Sequence, residues 1–345
     1  MNCRNWQFKL NLFVLLLTAC LVAHVEAADS SILGLVEESS IVNSPTGELE
    51  THLRLGFLST AEGWRAVCNS RSTNLNKTRD FSEPQPLGFL SPPPEEWHAV
   101  GNETCDFSEP QRLRRWSVSF NGKNIGQVST SGWVNSDYHY KSGQLRITST
   151  PVPRVGKRVA AFAGWGGDVK KYRPLIALIG MRPGPAKPWI SSKPTTKDIA
   201  AVWPAFRRVI PEIPSCKYDE EGHLLRSPRP VAPKHLEIFH VIRLDREEKL
   251  IGAHVARRFF KDCDGRGGSA SDLWFFSEGN SQPRMISRQP QLDGWDSSQE
   301  LIDIGDFDGD GRIEALFWFS GYNEDGYVLY FDRFKKSATF TWGYH

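Results

Sequence analysis

The feature that most limits what this chain can fold into is a strict alternation of apolar and polar side chains over short runs. In "RRWSVSFNGKNIGQVST", Trp116, Val118 and Phe120 alternate with Arg115, Ser117 and Ser119, the two-residue period of a strand with one buried face. Asn121-Gly122 follows, a pair that accepts the positive backbone angles of a tight hairpin turn, and Ile125 to Thr130 returns as the partner strand. "GQLRIT", "RPLIALIG", "LEIFHVIRL", "DLWFFSEG" and "SATFTW" read as further strands. Long 3.6-residue periodicity is scarce. One helix is expected, at "TTKDIAAVW", capped by Thr195 or Thr196 and disrupted at Pro204. The fold class is all-β with minor helix.

The N-terminus reads as an export signal. Arg4 and Lys9 precede an apolar stretch from Leu10 to Ala23, and Val25-Glu26-Ala27 has the small-residue pattern of a cleavage site. That stretch falls short of the about 20 residues a bilayer span needs, and no second transmembrane candidate follows. Cleavage near Ala27 predicts a secreted, periplasmic or cell-envelope protein. The alternative is "LTAC", Leu17 to Cys20, a lipoprotein-type signal that makes Cys20 a lipid anchor. Without residues 1–27 the net charge is about +1, too balanced for the clustered basic face of a nucleic-acid binder.

Four cysteines lie beyond the signal: Cys68, Cys105, Cys216 and Cys263. Their wide spacing and the lack of CxxC speak against zinc and for one or two structural disulfides in an oxidising compartment. Four cysteines allow three pairings; Cys216 with Cys263 is the pairing expected, because it would tie the segment before it to one set of strands.

The chain divides into an N-terminal segment (28–111), a β-rich half (112–180), a crossover (181–235) and a second β-rich half (236–345). The crossover is marked by proline: "RPGPAKP" and "RSPRPVAPKH" lie within it. In the N-terminal segment "LGFLSTAEGWRAV" (55–67) returns as "LGFLSPPPEEWHAV" (87–100), and "DFSEPQ" occurs at 80–85 and 106–111. The near-identical wording at slipping offsets marks a tandem duplication (55–85 and 87–111) rather than a solenoid. The second copy, which runs directly into the hairpin at Arg115, is the one expected to fill the intended strand.

The most chemically specific stretch is "DIGDFDGDGRIEALFWFS". Counting from Asp306, carboxylates fall at positions 1, 3 and 5 (Asp306, Asp308, Asp310), glycine at 6 (Gly311) and Glu314 at 9. Alternating aspartates in a tight loop converge on one point, as a calcium ion with six to eight oxygen ligands requires, and the backbone carbonyl of Arg312 is a natural further ligand. Without a cation three neighbouring aspartates repel one another. An EF-hand is excluded, since its twelfth position is Phe317 and the following residues read as a strand.

In this loop, and over the final 45 residues, the chain resembles the FG-GAP and VCBS repeats of integrin-α-like β-propellers. The resemblance implies a β-propeller-like fold of four-stranded antiparallel blades joined by the long proline-rich crossover, with β-sandwich domains as the alternative. It implies a blade over 300–345 with strands at Leu301–Gly305, Ile313–Ser320, Tyr327–Asp332 and Ser337–Trp342, and a turn at Asn323–Gly326. It also implies structural Ca2+ held by Asp306, Asp308, Asp310, Arg312 (carbonyl) and Glu314. Glu314 departs from the aspartate usual there, and its longer side chain is expected to bind through water. A degenerate earlier unit is placed at His235 to Ser287, with "DCDGRGG" (262–268) as a relic loop.

No GxSxG, P-loop or HExxH motif occurs. His240, within an alternating apolar run, reads as a core histidine, and Trp64, Trp133, Trp165 and Trp295 as core packing. Asn76-Lys77-Thr78 and Asn102-Glu103-Thr104 are glycosylation sequons. The expected function is a non-catalytic, calcium-stabilised exported binder of an extracellular protein or glycan. The alternatives are an exported hydrolase with carboxylates distant in sequence, and a structural envelope component.

Overall fold

A computed structural model describes residues 31–40, 49–69, 104–105, 115–134, 143–155, 162–163, 170–171, 173–179, 190–213, 217–218, 224–225, 229–259, 272–279, 281–287, 298–321 and 324–343. In chain order the main elements are β1 (Ile32–Ser40), β2 (Leu49–Thr60), β3 (Gly63–Ala66), β4 (Cys68–Asn69), β5 (Thr104–Cys105), β6 (Arg115–Phe120), β7 (Lys123–Trp133), β8 (Gln144–Ile147) and β9 (Leu175–Ile179). They continue as β10 (Ile190–Ser192), α1 (Thr196–Val209), β11 (Leu236–Arg243), β12 (Glu248–Val255), β13 (Leu273–Glu278), β14 (Arg284–Met285), β15 (Ser298–Gly305), β16 (Glu314–Gly321), β17 (Glu324–Phe331) and β18 (Lys336–Gly343). The all-β class expected from the sequence is what the chain adopts.

Six strands close a barrel in the order β1-β9-β6-β7-β8-β2, sealed by pairing of β1 with β2. β3 is appended to the far end of β2. The β6–β7 hairpin turns at Asn121-Gly122 as expected, with φ of 50° and 69°. Register puts Val36, Leu53, Trp116, Val118, Leu145 and Ala177 on one face, all buried. The barrel closes tightly there: a Cβ on Gly34 would sit 3.2 Å from the Trp116 ring and 2.9 Å from Leu53. The other face of β1 and β2 carries Leu35, Glu37, His52 and Arg54, also shielded from solvent.

What shields it is the antiparallel sheet β15-β16-β17-β18. Leu316, Trp318, Tyr327, Phe340 and Trp342 join the barrel core. Phe317, Phe319, Val328 and Tyr330, on the opposite face, join a second core with Ile242, Leu250, Trp274 and Phe276. The latter belong to a five-stranded sheet, β10-β11-β12-β13-β14. That sheet's remaining face buries Val241, Ile251 and Phe275 against Val202 and Phe206 of α1. The order of layers is barrel, four-stranded sheet, five-stranded sheet, helix. Such two-sided burial explains why β16, "EALFWFSG", is apolar at nearly every position instead of alternating.

Several local expectations need correction. The helix does not stop at Pro204 but runs through it to Val209. Its start is set by a capping box, with the Thr195 hydroxyl accepting from the Asp198 amide and Asp198 accepting from the Thr195 amide. Past the proline, Ala205 and Phe206 are buried against the sheet, and Arg208 Nε donates to the Pro204 carbonyl at 3.3 Å. The packing outweighs the backbone bond that proline cannot make. Glu324 and Gly326 are strand residues rather than a turn, since Gly321 pairs with Glu324. The first duplicated copy contributes the end of β2 and all of β3. Of the second copy only Thr104 and Cys105, in β5, are described; the rest of it lies outside the described residues, as do the loop at 262–268, the sequon at Asn76, Asn102 and Glu103, Trp165, Trp295, Cys216 and Cys263. No helix among the described residues is long and apolar enough to cross a membrane.

Candidate metal centre

The loop from Asp306 to Ile313 joins β15 to β16, and two features hold it against the molecule. Phe307, only 3 % exposed, inserts into the barrel-side core and pins the loop's start. Gly311, with φ of +84°, takes the left-handed conformation that turns the chain back toward β16.

Between these anchors, one carboxylate oxygen each from Asp306, Asp308 and Glu314 all lie within 4.8 Å of one another. Ligands of a single calcium, each about 2.3–2.6 Å from the ion, can be at most roughly 5 Å apart, so the three fit a common centre. The protein's own donors leave room for one. Asp306 Oδ2 accepts from the Gly311 amide at 3.0 Å, while its Oδ1 is buried with no hydrogen-bond partner among the described residues. Asp308 Oδ1 accepts from the Asp310 amide at 3.3 Å, and its Oδ2 from the Ser59 hydroxyl at 3.0 Å. Glu314, almost fully buried, accepts from the Phe307 amide at 2.7 Å.

Electrostatics mark the same residues. Burial, reinforced by the charges of Asp308, Asp310 and Asp306, pushes the Glu314 carboxyl up to about 9, against the opposing Phe307 amide. Burial also raises Asp306, with the Gly311 and Gly309 amides opposing and Asp310 and Asp308 adding to the rise. The ligand set expected from the sequence is therefore gathered in part. Asp310 stands outside the convergent group: its Oδ1 accepts from the Arg312 amide at 2.7 Å. The Arg312 side chain points outward, 3.4 Å from Asp332. Glu314, expected as a ligand, is one of the convergent three. As the first residue of β16 it faces inward, which its place in the loop count does not reveal.

The centre sits at the joint between barrel and sheet. Ser59 belongs to β2, so its bond to Asp308 crosses that joint. Two polar clusters hold the joint elsewhere. Glu37 accepts from Arg54 Nε at 3.0 Å, pairs with His52 Nε2 at 2.8 Å and accepts from the Tyr327 hydroxyl. Burial alone would raise Glu37, yet Arg54 and His52 hold it well below the usual carboxylate range. The Arg54 guanidinium also lies 4.3 Å from the centre of the Trp342 ring. Asp303 of β15 accepts from the Asn121 amide at 2.9 Å and lies 3.8 Å from Arg173.

A further group of polar residues, drawn from the five-stranded sheet and from Glu300 of β15, was not visible in the sequence. His254 Nδ1 is 2.9 Å from Asp272 Oδ1, and the ring stacks on Phe239, the one exposed large apolar side chain among the described residues. Burial, with the Asp272 charge adding to it, pushes Glu300 up to about 7. These residues are far apart in the chain, and no motif links them. Compared with known proteins, the chain matches no family model, no curated protein and no solved structure.

Proposed function

We propose that this is an exported, calcium-stabilised interaction protein without catalytic activity, in which the two packed antiparallel sheets act as propeller-like blades and the partner is an extracellular protein or glycan. The observation that carries the calcium reading is the convergence of Asp306, Asp308 and Glu314 around a buried Asp306 oxygen that lacks a donor. A hard divalent cation satisfies that oxygen and neutralises the buried carboxylates. Calcium held by several protein oxygens acts as a crosslink, and here the crosslink lies where barrel meets sheet, which favours a stabilising role over a catalytic one. Isothermal titration of the chelator-treated protein with calcium tests this. Binding with a dissociation constant of about 0.1–1 mM, in the range of extracellular modules, is expected. Absence of heat at millimolar calcium overturns the reading.

One observation favours a hydrolase instead. Glu300, pushed up to about 7 by burial and the Asp272 charge, resembles the acid carboxyl of a glycosidase. Turnover of a polysaccharide or ester substrate, abolished by Glu300→Gln while calcium binding persists, would replace the binder reading.

A further inference from the structure

Strands β4 and β5 form a two-residue antiparallel ladder whose register sets Cys68 directly opposite Cys105. Directly opposed residues of an antiparallel pair have Cα atoms about 4.5 or 5.5 Å apart, depending on whether the pair is hydrogen-bonded. A disulfide bridges Cα separations of about 4.4 to 6.8 Å. Either kind of pair therefore meets the backbone requirement of the bond. One side of the ladder is firmly seated. Val67, immediately before Cys68, is buried at 2 %, and its amide donates to the Gly56 carbonyl at 2.9 Å. The ladder is also too short to account for its own register. Residues 70–103 separate its two strands, and closing a loop of that length costs entropy that two residues of pairing do not offset.

We infer that Cys68 and Cys105 are joined by a disulfide that closes residues 69–104 into a loop at the end of β3. The export signal read from the sequence places the chain in a compartment where such bonds form. Formation takes two electrons and two protons from the two thiols. The oxidant is a protein or small-molecule disulfide of that compartment, which is reduced to two thiols by exchange. This link leaves Cys216 and Cys263 as the remaining couple, the pairing expected from the sequence.

Trypsin separates the four cysteines onto four peptides: 66–71, 80–112, 209–217 and 262–266. Protein recovered from its export compartment is alkylated without reduction, deglycosylated, digested and mass-analysed. The expected result is a species with the combined mass of peptides 66–71 and 80–112 less two hydrogens, which separates on reduction. Cys105→Ser should then leave Cys68 open to alkylation while Cys216 and Cys263 stay blocked. Peptide 66–71 linked to either of the other two, or alkylated in the unreduced wild type, overturns the inference.

Discussion

Single side chains bear on the calcium binding proposed above and on tolerance of acid. Asp308 belongs to the convergent carboxylates and also accepts the bond from Ser59 across the joint. At a hundredfold excess of calcium over its dissociation constant, binding adds about 2.7 kcal/mol to stability. Thermal melts with and without calcium should show that gain in the wild type and none in Asp308→Ala; an equal response in both removes Asp308 from the site. Acid tolerance follows from Glu37, whose carboxyl lies lower in the folded chain than in the unfolded one. The folded state keeps its charge where the unfolded chain takes up a proton. Its contribution is therefore full above about pH 4.5 and drains away as pH falls further toward the depressed folded value. Arg54→Met, which leaves the buried carboxylate only its His52 and Tyr327 bonds, should cost about 3 kcal/mol in urea unfolding at neutral pH. A loss under about 1 kcal/mol, the range of exposed pairs, would show the cluster to be slack.

At the scale of elements, α1 offers a clean test of how its start is set. Removing the cap with Thr195→Ala should cost about 1 kcal/mol, read from the shift in unfolding midpoint at constant slope. No change would mean that burial of Val202 and Phe206 alone determines where the helix begins. The same helix shows where reading a sequence fails. Pro204 is a local stop signal, but the apolar side chains beyond it pack against a sheet formed from residues far along the chain. The four C-terminal strands, by contrast, were legible in number and order, with starts displaced by up to three residues, because short connections join them. The loop was legible as to chemistry and less so as to membership. Spacing nominates both Asp310 and Glu314; the Asp310 carboxylate turns to the Arg312 amide, whereas Glu314 converges with Asp306 and Asp308 because β16 begins facing inward. Barrel closure left no local mark. It depends on Ile32 meeting Ile179 across most of the N-terminal half, and on a run, Ile32–Ser40, that shows no strict alternation.

At the scale of the whole molecule, the four-stranded sheet is covered on both sides, by the barrel and by the five-stranded sheet. A chain ending before Ser298 should therefore uncover apolar surface on both neighbours at once. It is expected to bind a hydrophobic dye strongly or to precipitate, whereas a soluble, dye-silent product would show that barrel and five-stranded sheet stand independently. The central position also governs time. An amide inside β16 or β17 has neighbouring strands on either side and packed side chains above and below, so solvent deuterium reaches it only when both flanking layers have let go. Loosening of either outer layer alone leaves those protons in place, and they should be the last in the protein to be replaced, at a rate that reports global opening rather than local breathing.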